Sequence, residues 1–474
     1  MLTTKEVNEY IVTMTIWLPK LEERVGPLYL AIADQLARDL QAGRIKPGDR
    51  LPTHRELAWK LGVTVGTVTR AYAEAERRGL IAGEVGRGTF IRERSIDLPA
   101  TAAQVADDDF VDLARSFPAD MRPHVAIARL LGEIATSPDL PQLLSYATNL
   151  GLPAHRAAGV EWLRRSGLSA APAEVVVTNG AQHAITIAMA AVARAGDVVL
   201  SEQLTFYGMK SVAGLLSLRL HGVAMDEYGL MPDALEAACR QLAPKALYCI
   251  PTLQNPTAAI MPAERRQEIS DICKRYGVVI VEDDIYGFLS ADGPPPLTSF
   301  APDSGIYLTS LSKSVAPGLR VGYLRAPAEL LDRIASSLRT TMWMATPLMA
   351  EIASRLVRNG EAQRLAEAQR AEAIARQAMA VERLAGFELA THPASFHVWL
   401  TLPEPWRREE FVAQARRRGV GVASAEAFAV GRAPVPHAVR LAPVAARDRG
   451  SLDRALVTIA NLLREPPDRG IDMV

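Results

Sequence analysis

Residues 306–325 read Ile-Tyr-Leu-Thr-Ser-Leu-Ser-Lys-Ser-Val-Ala-Pro-Gly-Leu-Arg-Val-Gly-Tyr-Leu-Arg. Two apolar runs, Ile306–Leu311 and Val321–Arg325, flank a polar turn that carries Lys313 and, seven residues later, Arg320. Successive side chains of a strand point to opposite faces of its sheet, so a run that is apolar at consecutive positions is covered on both sides. Further runs of this kind precede it at Val175–Thr178, Val198–Glu202, Ala246–Pro251 and Val278–Asp283, with helical patterning between them. Strands alternating with helices imply an α/β domain built on a mostly parallel sheet. From about Leu330 helical patterning dominates, with strand candidates near Ser395–Leu402 and Ala438–Leu441, as in a smaller α+β subdomain.

A lysine at a strand end is ordinarily just solvated; the company Lys313 keeps at other strand ends argues otherwise. A pyridoxal phosphate (PLP) site needs a lysine for the imine, an acid for the pyridine nitrogen, donors for the phenolic oxygen, a phosphate cradle and a surface for the ring. Asp283 ends its run and is placed to keep the pyridine nitrogen protonated. Tyr286 and Asn255, the latter in Gln254-Asn255-Pro256-Thr257, are donors for the ring oxygen. The stretch Thr178-Asn179-Gly180-Ala181-Gln182 passes from a strand into a helix, whose free N–H groups suit a phosphate, with Ser310, Ser312 and Arg320 completing the cradle.

These blocks resemble the class I aminotransferases of PLP fold type I, from about Asp112 to Arg464. The resemblance implies that Lys313 carries the internal aldimine, Asp283 faces the pyridinium, and Asn255 and Tyr286 bind the ring oxygen. It implies that Ala181, Gln182, Ser310, Ser312 and Arg320 bind the phosphate, and it puts Phe206 where the family commonly stacks a tyrosine on the ring. Arg440, in Val439-Arg440-Leu441, matches the arginine that forks a substrate carboxylate. Tyr146 falls where the family reaches across a homodimer to the partner's phosphate. Two positions depart from the pattern: Ala258 where glycine is common, and Leu204 where proline is usual.

The N-terminal part reads differently. Leu28, Ile32, Leu36 and Leu40 form one stripe of a helix ending at Gly43, before the turn Lys46-Pro47-Gly48-Asp49. Thr53 and Glu56 make a capping box ahead of a second helix closed by Gly62, and Thr64 caps a third that turns Val68, Tyr72 and Ala75 inward. Leu80–Val85 and Thr89–Arg92 then read as a hairpin turning at Gly86-Arg87-Gly88. This is a winged helix-turn-helix, with Arg55, Thr64, Thr67, Thr69, Arg70, Arg87 and Gly88 as candidates to face DNA. The segment strongly resembles the GntR family of winged-helix regulators. From Arg44 to Arg94 there are 11 Lys and Arg against 6 Asp and Glu, a local excess hidden in a chain of net charge zero.

With 474 residues, 49% hydrophobic and 22% charged, the chain has the bulk of a multidomain globular protein. Residues 1–94 are expected to bind DNA, 95–114 to form a linker rich in Pro, Ala, Thr and Asp, and 115–474 to form the PLP domain, with a large subdomain at about 151–335. Cys239, Cys249 and Cys273 make no close pair and read as buried structural thiols; no metal site is expected. The longest early apolar stretch, Ile11 to Leu18, is too short to span a bilayer, so a cytoplasmic protein without membrane contact is expected. Together the halves resemble the MocR/GabR regulators. That resemblance implies double-stranded DNA as partner and an amino-compound effector that displaces Lys313 to form an external aldimine. Two lesser alternatives stay open: an aminotransferase with an accessory DNA-binding domain, and a second domain that serves only for dimerisation.

Overall fold

The computed structural model describes residues 17–19, 27–41, 44–45, 49–77, 80–84, 88–91, 110–290, 292–431 and 434–465. The chain forms two compact units, divided at residue 100. Arg87 at the tip of the expected wing, and linker residues 95–109, lie outside the described residues.

In the first unit, α1 (Leu28–Gln41), α2 (His54–Leu61) and α3 (Val65–Arg77) precede an antiparallel pair, β1 (Ile81–Glu84) and β2 (Gly88–Ile91). The Thr53–Glu56 capping box is present, and Gly62 closes α2 at φ 64, a left-handed conformation that glycine adopts without cost. The Thr64 hydroxyl accepts from the Thr67 N–H at 3.2 Å and so caps α3. Ile32, Leu36, Leu57, Val68, Tyr72, Ala75, Ile81 and Ile91 close one small core around Trp17. The Trp17 indole donates to buried Asp39 at 2.7 Å, and Arg44 pairs with the same carboxylate at 2.7 Å.

The second unit begins earlier than expected. β3 (Val111–Asp112) pairs in parallel with β15 (Val420–Gly421), so residues 110–114, assigned to the linker from their composition, belong to the folded domain. The pairing covers only two residues, too few to show a strand period, and its partner lies some 300 residues away.

Its main sheet contains β4 (Val175–Thr178), β5 (Val198–Glu202), β6 (Arg219–Val223), β9 (Ala246–Cys249), β10 (Val279–Asp283), β11 (Gly305–Ser310) and β12 (Gly322–Arg325), in the order β4-β12-β11-β10-β9-β5-β6. Only β12 runs antiparallel to its neighbours. A two-residue hairpin, β7 (Met225–Asp226) with β8 (Gly229–Leu230), follows β6. A second, antiparallel sheet, β13 (Leu389–Thr391), β14 (Val398–Thr401), β17 (Ala438–Leu441) and β16 (Ala423–Ser424), builds the smaller subdomain. The edge strand β6 escaped the sequence reading because its residues alternate between exposed and half-buried, with only Val223 buried, instead of forming an apolar run. All three cysteines are buried in one core cluster on a face of β5, β9 and β10, Cys249 being the last residue of β9 itself.

One buried ionic cluster fixes the loops around the C-terminal ends of these strands. Arg266 donates to the carbonyls of Met261, Pro251 and Pro295 at 2.9–3.0 Å and to the Thr252 hydroxyl at 2.9 Å. Glu282, 3.9 Å from Arg266, accepts from the Leu297 and Thr298 N–H groups and from the Thr298 hydroxyl. Removing one partner of such a pair strands a buried charge. Arg266→Met is therefore expected to cost about 3–5 kcal/mol, read as a lowered urea midpoint of the second unit; a loss below about 1 kcal/mol would show that the cluster is not holding these loops.

Candidate functional site

In the first unit, Arg55, Thr64, Thr69 and Arg70 are exposed and Thr67 half-buried at the start of α2 and along the first turns of α3. The Thr64 and Thr67 hydroxyls bond each other at 2.9 Å, and Thr69 bonds the Val65 carbonyl at 3.0 Å. Gly88 has φ 120, and a Cβ there would lie 2.8 Å from the Arg50 guanidinium. Gly88 thus lets the Arg50 side chain pack against the turn end of the hairpin, a basic contribution the sequence reading missed.

In the second unit, Lys313 follows β11 and Asp283 ends β10. The Lys313 amine is enclosed and donates to the Ser116 carbonyl. Burial, Arg440 and Arg320 push its pKa down to about 8, against the pull of Asp283. Asp283 is fully buried; Tyr248 donates to its Oδ2 at 2.7 Å while Oδ1 has no partner. Burial raises its pKa to about 6.

Arg440 on β17 is buried, lies over the Phe428 ring at 4.8 Å, and donates through Nη1 to Asn255 Oδ1 at 2.9 Å and through Nη2 to the Ala114 carbonyl, leaving Nε without a partner. Asn255 presents its oxygen to Arg440, which leaves its NH2 as a donor for something else. The Tyr286 hydroxyl meets Ser116 Oγ at 2.9 Å and His397 Nε2 at 3.3 Å, and His397 also reaches Ser116 Oγ at 3.0 Å. Burial, with Arg440 and Lys313 nearby, holds His397 well below its usual pKa, hence neutral.

Ala181 and Gln182 open a helix after Gly180, and the N–H groups of such a first turn have no helical acceptor to serve. Gly180 has φ 82, and a Cβ there would sit 2.8 Å from Arg320 Nη2. Arg320 reaches Ser312 Oγ at 3.4 Å and the Asn179 carbonyl at 3.3 Å, and Ser310 Oγ accepts from the Ser312 N–H at 3.4 Å. Phe206 lies tilted against Tyr207 at 4.7 Å, and a Cβ at Gly208 would fall 2.2 Å from the Phe206 ring.

Of the expected residues, Lys313, Asp283, Tyr286, Asn255, Arg440 and Arg320 thus converge by direct bonds or close electrostatic contact. Tyr146 stands apart, 85% exposed and edge-on to Trp343 at 6.0 Å. Ala258 has φ 63, which accounts for the glycine usual at this position, and Leu204 instead forms a bridge with Ala429. Ser116, His397 and Tyr248 were not anticipated. Tyr248 alone carried a signal: it is the hydroxyl-bearing residue of β9, beside the Asp283 strand.

Comparison with known proteins agrees with this geometry. Residues 108–459 match the family described as aminotransferase class I and II, and residues 28–91 match the bacterial regulatory proteins of the gntR family. An uncharacterized HTH-type transcriptional regulator of Bacillus subtilis strain 168, YdeF, is 31% identical over 447 residues, 94% of this chain and 96% of that one. The chain belongs to the MocR-type transcriptional regulators. The HTH-type regulator TauR of Rhodobacter capsulatus is 27% identical, covering 68% of this MocR-type chain and 72% of its own. The 2-aminoadipate transaminase of Thermus thermophilus is 30% identical, over 62% and 74%. Among solved structures, the α-aminoadipate aminotransferase LysN of the same organism, complexed with N-(5'-phosphopyridoxyl)-L-leucine, superposes with a TM-score of 0.66 at 26% identity, over 75% of this chain and 92% of that one.

The second unit is accordingly a PLP domain of fold type I, and its residues fit the cofactor. The unpartnered Asp283 Oδ1 lacks the donor that a protonated ring nitrogen supplies, and the missing side chain at Gly180 lets the Arg320 guanidinium close on the turn that opens the Ala181 helix, a pairing of cation and helix N-terminus that suits a phosphate. Only a neutral amine attacks a carbonyl, and Lys313 is mostly protonated below about 8 and mostly neutral above it. Uptake of added PLP by the cofactor-free chain should therefore speed up as pH rises and level off above about 8, followed by visible absorbance; a rate still climbing toward pH 10 would contradict the depressed value.

Proposed function

We propose that this MocR-type regulator is a homodimer whose hold on DNA changes when an amino compound bearing an acidic group enters the site around Lys313. The observation that carries this reading is the pairing of an enclosed lysine amine with Arg440, a buried guanidinium that keeps one donor without a partner. The cofactor supplies a carbonyl carbon that condenses reversibly with amines. Lys313 would hold the cofactor through its amine. Asp283 would keep the ring nitrogen protonated, Asn255 and Tyr286 would donate to the ring oxygen, and Phe206 would cover the ring face. Ala181, Gln182, Ser310, Ser312 and Arg320 bind the phosphate, and Arg440 grips the effector's acid.

A partner protomer is supported by the exposed apolar residues of the second unit, Tyr146 at 85%, Leu144 at 71%, Val125 at 65% and Trp343 at 54%. Tyr146 would then serve the partner's phosphate. In the first unit Arg55, Thr64, Thr67, Thr69 and Arg70, together with Arg87 and Gly88 of the hairpin, would meet the duplex in the cytoplasm. For an effector to act it must bind two dimer states unequally, since equal affinity shifts nothing. A second reading, transamination with DNA binding as accessory, is favoured by the completeness of the lysine site; turnover of an amino donor with a keto acid would establish it.

The testing experiment measures binding of the PLP-loaded chain to DNA upstream of its own gene, against excess nonspecific competitor at moderate salt. Selective, saturable binding is expected; none above competitor would reject the regulator. Lys313→Ala should abolish the visible imine absorption and any amine response while basal DNA binding persists. Arg55→Ala or Arg70→Ala should weaken DNA binding by about 1–3 kcal/mol with the PLP spectrum unchanged.

A further inference from the structure

The first described residues after the winged-helix unit run directly into the site. Val111 and Leu113 donate to the Gly419 and Gly421 carbonyls at 2.8 and 2.9 Å, and Ala442 donates back to Leu113 at 2.9 Å. At the far end Ala119 exchanges hydrogen bonds with Gln369, which is buried. Between these anchors the strap is held by the site itself: the Ala114 carbonyl by Arg440, the Ser116 carbonyl by Lys313, and the Ser116 hydroxyl by Tyr286 and His397.

We propose that residues 114–117 are a ligand-read strap, which reports occupation of Arg440 by a carboxylate to the chain leading back to the DNA-binding unit. This rests on the reading that the effector binds at Lys313 and Arg440. A guanidinium offers two edges to a two-pronged acceptor, Nε with Nη2 and Nη1 with Nη2, and both include Nη2. Nη2 is the nitrogen that holds the Ala114 carbonyl. A carboxylate on either edge therefore displaces that carbonyl or sets an anion beside it, and either loosens the strap. An effector's amine acts separately, by freeing Lys313. Strap and amine chemistry are thus distinguishable with two probes that differ by one carboxylate group.

Methoxyamine and aminooxyacetate both exchange the C=N bond at Lys313 for one to their own nitrogen, and the two protons of the probe's NH2 leave on Lys313 as the free amine. Aminooxyacetate alone brings a carboxylate. The experiment follows amide hydrogen exchange over residues 110–120 of the full-length, PLP-loaded chain with each probe, with absorbance recording the exchange at Lys313. Aminooxyacetate is expected to speed exchange in this segment roughly tenfold over methoxyamine, the scale of one charge-assisted hydrogen bond, and Arg440→Gln should erase the difference. Equal exchange with both probes, each having removed the Lys313 imine, would overturn the strap and leave the effector site standing. Absence of any Lys313 imine would overturn both. The wild-type comparison decides the matter even if Arg440→Gln fails to fold.

Discussion

The architecture around the site depends on burying Arg266 and Glu282 at the C-terminal side of the main sheet. Neither charge is tolerable there alone, and each is satisfied chiefly by backbone groups of loops: Arg266 by carbonyls at 251, 261 and 295, Glu282 by N–H groups at 297 and 298. Since Glu282 immediately precedes Asp283, and Pro251-Thr252 leads to Asn255, the positions of the acid and the amide follow from this cluster. It has no chemistry of its own; it spends desolvation energy to give the loops one conformation.

Around Lys313 the balance of charge runs the other way. Burial weighs most, Arg440 and Arg320 add positive potential, Asp283 opposes it, and the lysine yields by giving up its proton more readily. A pocket of this sign suits a phosphate dianion and an acidic ligand, and it favours the neutral amine that carbonyl chemistry requires. Burial, with the same field added, keeps His397 neutral, so it takes part in the Ser116–Tyr286 contact as a hydrogen-bonding group and not as a cation.

The sequence was most readable where local chemistry and local structure coincide. The Thr53–Glu56 cap and the strands at Val175–Thr178 and Ala438–Leu441 stand where their residue types place them, because a cap or a doubly covered strand is specified within a few residues. Lys313, Asp283 and Asn255 were recognisable because each sits in a run with its own turn or strand end. Ser116 and His397 were not: they become partners only when the second sheet, contributed by residues 389–441, closes over the segment after residue 110. The same long-range pairing hid β3, whose two residues carry no period and whose partner is β15.

The three cysteines acquire a meaning from this setting. A bound aldehyde faces competition from every accessible nucleophile of its host, and thiols are ordinarily the keenest. Cys239, Cys249 and Cys273 are buried, and burial pushes each thiol up, Cys239 to about 11. Lys313 moves in the opposite direction, toward its reactive form. Burial thus silences sulfur and arms one nitrogen, so that the chain discriminates between its own nucleophiles before any ligand arrives.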